Sequence, residues 1–185
     1  MDKHSSHPFR GNDAFMKFVH ACSPNADELS VVLFGQFQRA QHLLTQAMER
    51  NLEDVGLSWA KFRVLMNLMR SEVDGSAAGL QPSELSERQD ISRNTMSALI
   101  SSLEKDELIH RALHDEDRRK FLIQLTPRGR ELVQAQAAKQ FKYVSDCFDT
   151  MKPHERRQLL DLLTQLNTGL AERARQCKAE KNTAS

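Results

Sequence analysis

Arg93, Asn94, Thr95, Ser97 and Ser101 fall within nine residues, and Arg118, Arg119 and Lys120 follow in one run. These residue types suit a base-reading surface. Arginine favours guanine, asparagine favours adenine, and serine and threonine hydroxyls bond to several base edges. Ser83, Ser92 and Thr95 could also bond to phosphate, helped by backbone N–H groups at helix starts. Around them, Met96, Leu99, Ile100 and Leu103 repeat at i, i+3, i+4, i+7, which predicts an amphipathic helix. Asn94, Ser97, Ala98 and Ser101 then lie on its opposite face, which is small, polar and free of acids. Such a face fits a narrow anionic groove, although an ordinary surface helix with a short polar face has the same pattern.

The elements that must position these residues span Leu80–Thr126. Pro82 suits a first helical position, with Gln81 before it a weaker cap than serine or threonine. Asp90 stands where the turn calls for a left-handed backbone, and Ser92 caps the second helix, which runs to about Lys105. Ile109–His114 and Lys120–Thr126 read as two short strands around a charged tip, with Phe121, Ile123 and Leu125 as an alternating inward row. A helix-turn-helix with a hairpin wing is a device for duplex DNA: the second helix enters the major groove, and wing arginines suit the minor groove. Across Arg88–Arg130 nine cations face seven acids, so any basic patch is local.

Outside this stretch the pattern is helical. A long helix is expected from about Asp27 to Asn51, capped by Asn25, burying Leu29, Val32, Leu33, Phe37, Ala40, Leu44 and Met48. Ser58 caps a further helix, Trp59–Arg70, and Ser71–Gly79 is a loop. Pro127 opens a helix to about Thr150 carrying Leu132, Val133, Ala137, Phe141, Val144 and Phe148. Pro153 opens the last, with Leu159, Leu160, Leu162, Leu163, Leu166 and Leu170, a stripe that needs a partner surface. The fold class is therefore mainly α with a small β-hairpin wing. The expected organisation is an N-terminal extension over 1–24, a helical dimerisation region of 25–57 with 127–177, a winged helix-turn-helix over 58–126, and a polar tail over 178–185.

Composition bounds the function. The 185 residues carry a formal charge of +1 and three cysteines. Cys22, Cys147 and Cys177 are odd in number and widely spaced, which points away from a disulfide framework and toward a reducing, cytoplasmic setting. No membrane span or secretory h-region is evident. His110 and His114 form no recognised metal motif, no cofactor is implied, and the usual hydrolase, phosphate-loop and dinucleotide motifs are missing, so no enzyme activity is expected.

Asp117-Arg118-Arg119, then FLIQLT and Pro127-Arg128-Gly129-Arg130, together with Gly56-Leu57-Ser58 and Pro82-Ser83-Glu84-Leu85, resemble the MarR (multiple antibiotic resistance regulator) family of winged-helix regulators. The likeness covers about Asp27 to Leu170. It implies a homodimer with interlocking terminal helices, bound to a near-palindromic operator. Its DNA contacts would match Ser92, Arg93, Asn94, Thr95, Ser97 and Ser101, with Arg119 on the wing. It also implies repression relieved by a small aromatic or phenolic ligand wedged between the DNA-binding lobe and the dimer helices. Phe37, Arg39, His42, Trp59, Phe62 and Arg63 are the candidates for that crevice, with Phe37 and Phe62 equally readable as core. Two rival functions are an interaction module that keeps the fold without DNA, and an oxidant sensor using Cys22.

Overall fold

The computed structural model describes residues 13–75, 79–113 and 121–183. It divides into two compact units, 1–133 and 134–185. Each helix start in the first unit is built by its local sequence. Helix α1 spans Asp13–Cys22 and α2 Glu28–Glu53. The cap of α2 is Asp27, not Asn25: its carboxylate accepts the Ser30 N–H at 2.9 Å and the Ser30 hydroxyl as well. Ser58 caps α3, Trp59–Val73, accepting from the Lys61 N–H at 3.3 Å. Ahead of α4, Pro82–Gln89, the Gln81 N–H donates to the Glu84 carboxylate at 2.6 Å, which compensates for the absence of a serine or threonine cap. Asp90 takes the left-handed conformation expected of it, φ 52° and ψ 48°. The Ser86 hydroxyl pins that turn by donating to the Ile91 carbonyl at 2.6 Å. Helix α5, Arg93–Lys105, follows.

The wing consists of β1, Ile109–Leu113, and β2, Phe121–Leu125, antiparallel with Ile109 opposite Leu125 and Leu113 opposite Phe121. Leu80 adds a third rung, exchanging hydrogen bonds with Ile123 at 3.1 and 2.8 Å. Gly79 permits this approach. Its φ is +95°, and a Cβ there would lie 2.5 Å from the Ile123 carbonyl oxygen. The core of the unit joins Phe62, Leu65 and Leu68 of α3, Leu85 of α4, Met96, Ile100 and Leu103 of α5, and Ile109, Ile123 and Leu125 of the wing, all buried. Leu99 is only half-buried. The inward row of β2 is also shorter than its alternation suggests: Phe121 is 47% exposed, whereas Leu122 on the other face is buried. On that face the packed interior stops at Ile123.

The segment Leu125–Arg130 joins the wing to α6, Pro127–Phe148. The Thr126 hydroxyl donates to the Glu107 carbonyl at 2.8 Å and accepts the Gly129 N–H at 3.0 Å. The Thr126 N–H donates to the Leu108 carbonyl at 3.1 Å. Gly129 lies so close to this carbonyl that a Cβ would fall 1.9 Å from its oxygen. One turn on, Arg130 forms a bidentate pair with Glu72 of α3, both bonds 2.8 Å. Its hydrogen bonding to the Glu72 carboxylate holds the Arg130 guanidinium above its ordinary pKa.

Two apolar stripes are not covered within the single chain. On α2 the expected buried face is open: Leu29 is 66% exposed, and Leu33 and Phe37 are also exposed. Phe15 and Phe18 of α1 are exposed too. In the second unit, α7 spans Pro153–Thr183, so the polar segment expected from residue 178 continues the helix. Its Leu160 (64% exposed), Leu162, Leu166 and Leu170 face outward, as does Phe141 of α6. Arg156 ties the two helices of this unit, donating to the Asp149 carboxylate at 2.9 Å and the Met151 carbonyl at 3.0 Å.

Candidate nucleic-acid interface

Helix α5 presents to solvent the face expected from its sequence. Arg93, Asn94, Thr95, Ser97, Ala98 and Ser101 are all exposed, while Met96, Ile100 and Leu103 hold the helix to the core. The Ser92 hydroxyl accepts the Thr95 N–H at 3.1 Å and shares a hydrogen bond with the Thr95 hydroxyl at 2.8 Å. These two residues therefore build the helix start, and any DNA contact they make is additional to that role.

Beside this face lies an open groove of about 420 Å³. It is lined by Gln81, Pro82 and Ser83 at the start of α4, by Arg93 and Ser97 of α5, and by Phe121 of β2. Three of the expected contact residues, Ser83, Arg93 and Ser97, thus converge on one feature. None of the six lining residues is acidic. The acids at the far end of α5 are paired, Glu104 with Arg111 at 3.1 Å, Asp106 with Lys61 at 2.8 Å, and Glu107 with Arg128 at 3.5 Å, while Glu84 beside the groove accepts the Gln81 N–H at 2.6 Å. Arg93 makes no ion pair among the described residues. That arrangement can accept an anion while hydroxyl and amide groups bond to an adjoining polar edge. Arg118 and Arg119 lie outside the described residues, as does His114.

Sequence reasoning missed Gln81, Pro82 and Phe121. From sequence Gln81 reads only as a helix cap and Phe121 only as part of an alternating apolar strand. The available signal was Phe121's place at the outer end of its strand, where an inward row can run past the core.

The candidates for a ligand crevice are dispersed. Phe37, Arg39 and His42 are exposed on α2; Trp59 and Arg63 are half-buried on α3. Phe62 is 1% exposed and belongs to the core, its ring centroid 5.8 Å from that of Trp59. Phe37 is not core. None of these residues lines the α4–α5 groove. Cys22 is exposed at the end of α1, Cys177 is exposed on α7, and Cys147 is intermediate. Among the described residues no group of three or more His, Cys, Asp or Glu side chains could hold a metal, and no helix is long and apolar enough to cross a membrane.

Residues 55–120, which include α3, α4, α5 and β1, match the sequence model of the MarR family. A curated relative, the HTH-type transcriptional repressor YetL of Bacillus subtilis (strain 168), is 28% identical over 142 residues, covering 77% of this chain and 83% of that protein. The fold is similar to that of the S. aureus MepR–DNA complex, with a TM-score of 0.65 and 23% identity over 72% of this chain and 95% of the other. It is likewise similar to CouR from Rhodococcus jostii RHA1 bound to p-coumaroyl-CoA, with a TM-score of 0.64 and 22% identity over 76% and 95% of the two chains. The winged helix-turn-helix, its acid-free outer helix face and these likenesses agree on a domain of the MarR family type over residues 55–120.

Proposed function

We propose that this protein is a sequence-specific duplex-DNA-binding transcriptional regulator, acting as a repressor and not as an enzyme, in the cytoplasm. The observation that carries this reading is the exposed, acid-free face of α5, with Arg93 opening onto the groove beside it. In this reading α5 enters the major groove. Asn94, Thr95 and Ser101 face base edges there, and Ser83, Ser92, Arg93 and Ser97 contact phosphate. Arg118 and Arg119 on the wing would reach the adjoining minor groove. The likenesses to YetL, an HTH-type transcriptional repressor, and to MepR in complex with DNA support this assignment.

The working unit is a homodimer on a near-palindromic operator. The open apolar stripes of α2 and α7 support this, since leaving so many large side chains in water is unfavourable. Residues 25–57 and 127–177 would form the dimerisation region, and 58–126 the DNA-binding lobe. Recognition helices of such a pair must match half-sites about 34–36 Å apart. A small aromatic ligand that alters this spacing would release the operator, as the acyl-CoA held by CouR suggests. Arg39, His42, Trp59 and Arg63 are the groups available to meet such a ligand, while Phe37 provides an exposed ring on α2.

A gel-shift titration of duplex DNA at several salt concentrations tests the reading. Affinity should fall steeply with salt as phosphate contacts release counterions. Arg119→Ala should weaken operator binding by about 1–3 kcal/mol. Absence of duplex binding at low salt would contradict the DNA function, and unchanged binding by the variant would remove the wing contact.

A further inference from the structure

We propose that the groove between α4, α5 and β2 seats one sugar–phosphate strand of the bound duplex, with Phe121 packed against a deoxyribose as an apolar contact. The proposal rests on the DNA-binding reading above and assigns an occupant to one part of it.

Residues two apart on a strand share a face, and directly opposed residues share it across the ladder. Ile109, Arg111 and Leu113 therefore lie on one face with Leu125, Ile123 and Phe121. Burial changes along that face. Ile109, Leu125 and Ile123 are sealed in the core, but the outer pair of Leu113 and Phe121 is exposed. The face that holds the wing to the domain thus continues beyond the interior and leaves an aromatic ring at the groove.

The groove's other lining groups are of a different kind. Ser83 and Ser97 bring hydroxyls, Gln81 an amide, and Arg93 a guanidinium, with no carboxylate among the six residues. An occupant that is anionic along one edge and apolar along another matches that mixed lining. A deoxyribose-phosphate strand has this character: phosphate oxygens for Arg93 and the hydroxyls, and sugar C–H groups for the ring. The groove is open, which suits a passing strand better than an enclosed small molecule. Its location agrees, because a helix in the major groove and a wing in the neighbouring minor groove must straddle the strand that separates them. Phe121 would then add affinity without base preference and without displacing counterions.

The test measures duplex binding by wild type, Phe121→Ala, Phe121→Leu and Arg93→Ala across a salt series, with hydroxyl-radical footprinting of the DNA. Phe121→Ala should lose roughly tenfold in affinity on specific and unrelated duplexes alike, with an unchanged slope of log affinity against log salt. Phe121→Leu should recover most of the loss. Arg93→Ala should reduce the slope by about one phosphate contact. In the footprint, Phe121→Ala should lose protection of one sugar per half-site. Thermal unfolding monitors the fold, and Phe121→Leu supplies the binding comparison if the alanine variant is unstable. Wild-type-like affinity and footprint in both Phe121 variants would overturn the contact and leave the DNA reading intact. A loss confined to sites with one particular thymine, and mimicked by uracil at that position, would assign Phe121 to a base methyl and overturn the sugar seat. Failure of the wild type to bind any duplex would overturn the DNA reading and this proposal together.

Discussion

Phe62, Leu65, Leu85, Met96 and Ile123 pack to near-zero exposure in the winged lobe, whereas Leu160, Leu162, Leu166 and Leu170 lie open along α7. Both regions are rich in leucine and both are helical, so neither composition nor propensity separates them. The difference is geometric. In the lobe, α3, α4, α5 and the wing approach from several directions and enclose a shared volume. In the second unit the leucines of α7 find no such enclosure and stay exposed. The lobe is specified by one chain, and α7 has the form of an element completed by another copy.

The largest expected effect falls on the open stripe. Leu162→Asp combined with Leu166→Asp should abolish the dimer, since each leucine buried in an interface contributes about 1.5–3 kcal/mol. Sedimentation equilibrium would show it, and a dimer that survives both charges would place the interface elsewhere. Gly129→Ala addresses the lobe instead. With a Cβ forced against the Leu108 carbonyl, overpacking should cost about 1–3 kcal/mol in urea unfolding; a neutral result would mean that the Thr126–Arg130 turn yields easily.

A smaller effect is expected from Ser92→Ala. It removes the cap of α5 and should cost about 1 kcal/mol of stability. Comparison with Asn94→Ala, which leaves the cap intact, would separate helix formation from base contact in binding titrations. The smallest effect belongs to Asp27. Hydrogen bonds from Ser30, the side chain's first and the backbone's second, hold its carboxyl below the ordinary aspartate range. A depressed carboxyl stabilises the folded state above its unfolded pKa, and that contribution fades as pH falls through the folded value. Asp27→Asn should therefore flatten the acid limb of a stability–pH curve slightly, and an unchanged limb would detach the cap from the acid response.

Much of the lobe was legible because its signals are local. The stripe of Met96, Ile100 and Leu103, the cap at Ser92 and the left-handed Asp90 are each set within a few residues. The turn from Thr126 to Arg130 follows the same rule, although its purpose lies in distant partners, Leu108 and Glu72. What the sequence did not disclose depends on where a packed surface stops. Phe121 alternates correctly with Ile123 and Leu125, yet no core remains to receive it. Leu29, Leu33 and Phe37 repeat as a buried face should, but periodicity gives the side that is covered and not the molecule that covers it. The cap at Asp27 rather than Asn25 is a choice between two competent residues, decided by where the helix begins. At the site, Ser83, Arg93 and Ser97 could each be named from chemistry, while their convergence on one groove required the fold.

In the proposed reading this chain is one half of a two-fold DNA reader. Selection of bound sequences from random duplex DNA tests it most directly. The expected result is a near-palindrome whose half-sites are centred about one helical turn apart, roughly 34–36 Å. Enrichment of a single unpaired half-site, or no enrichment above background, would contradict it.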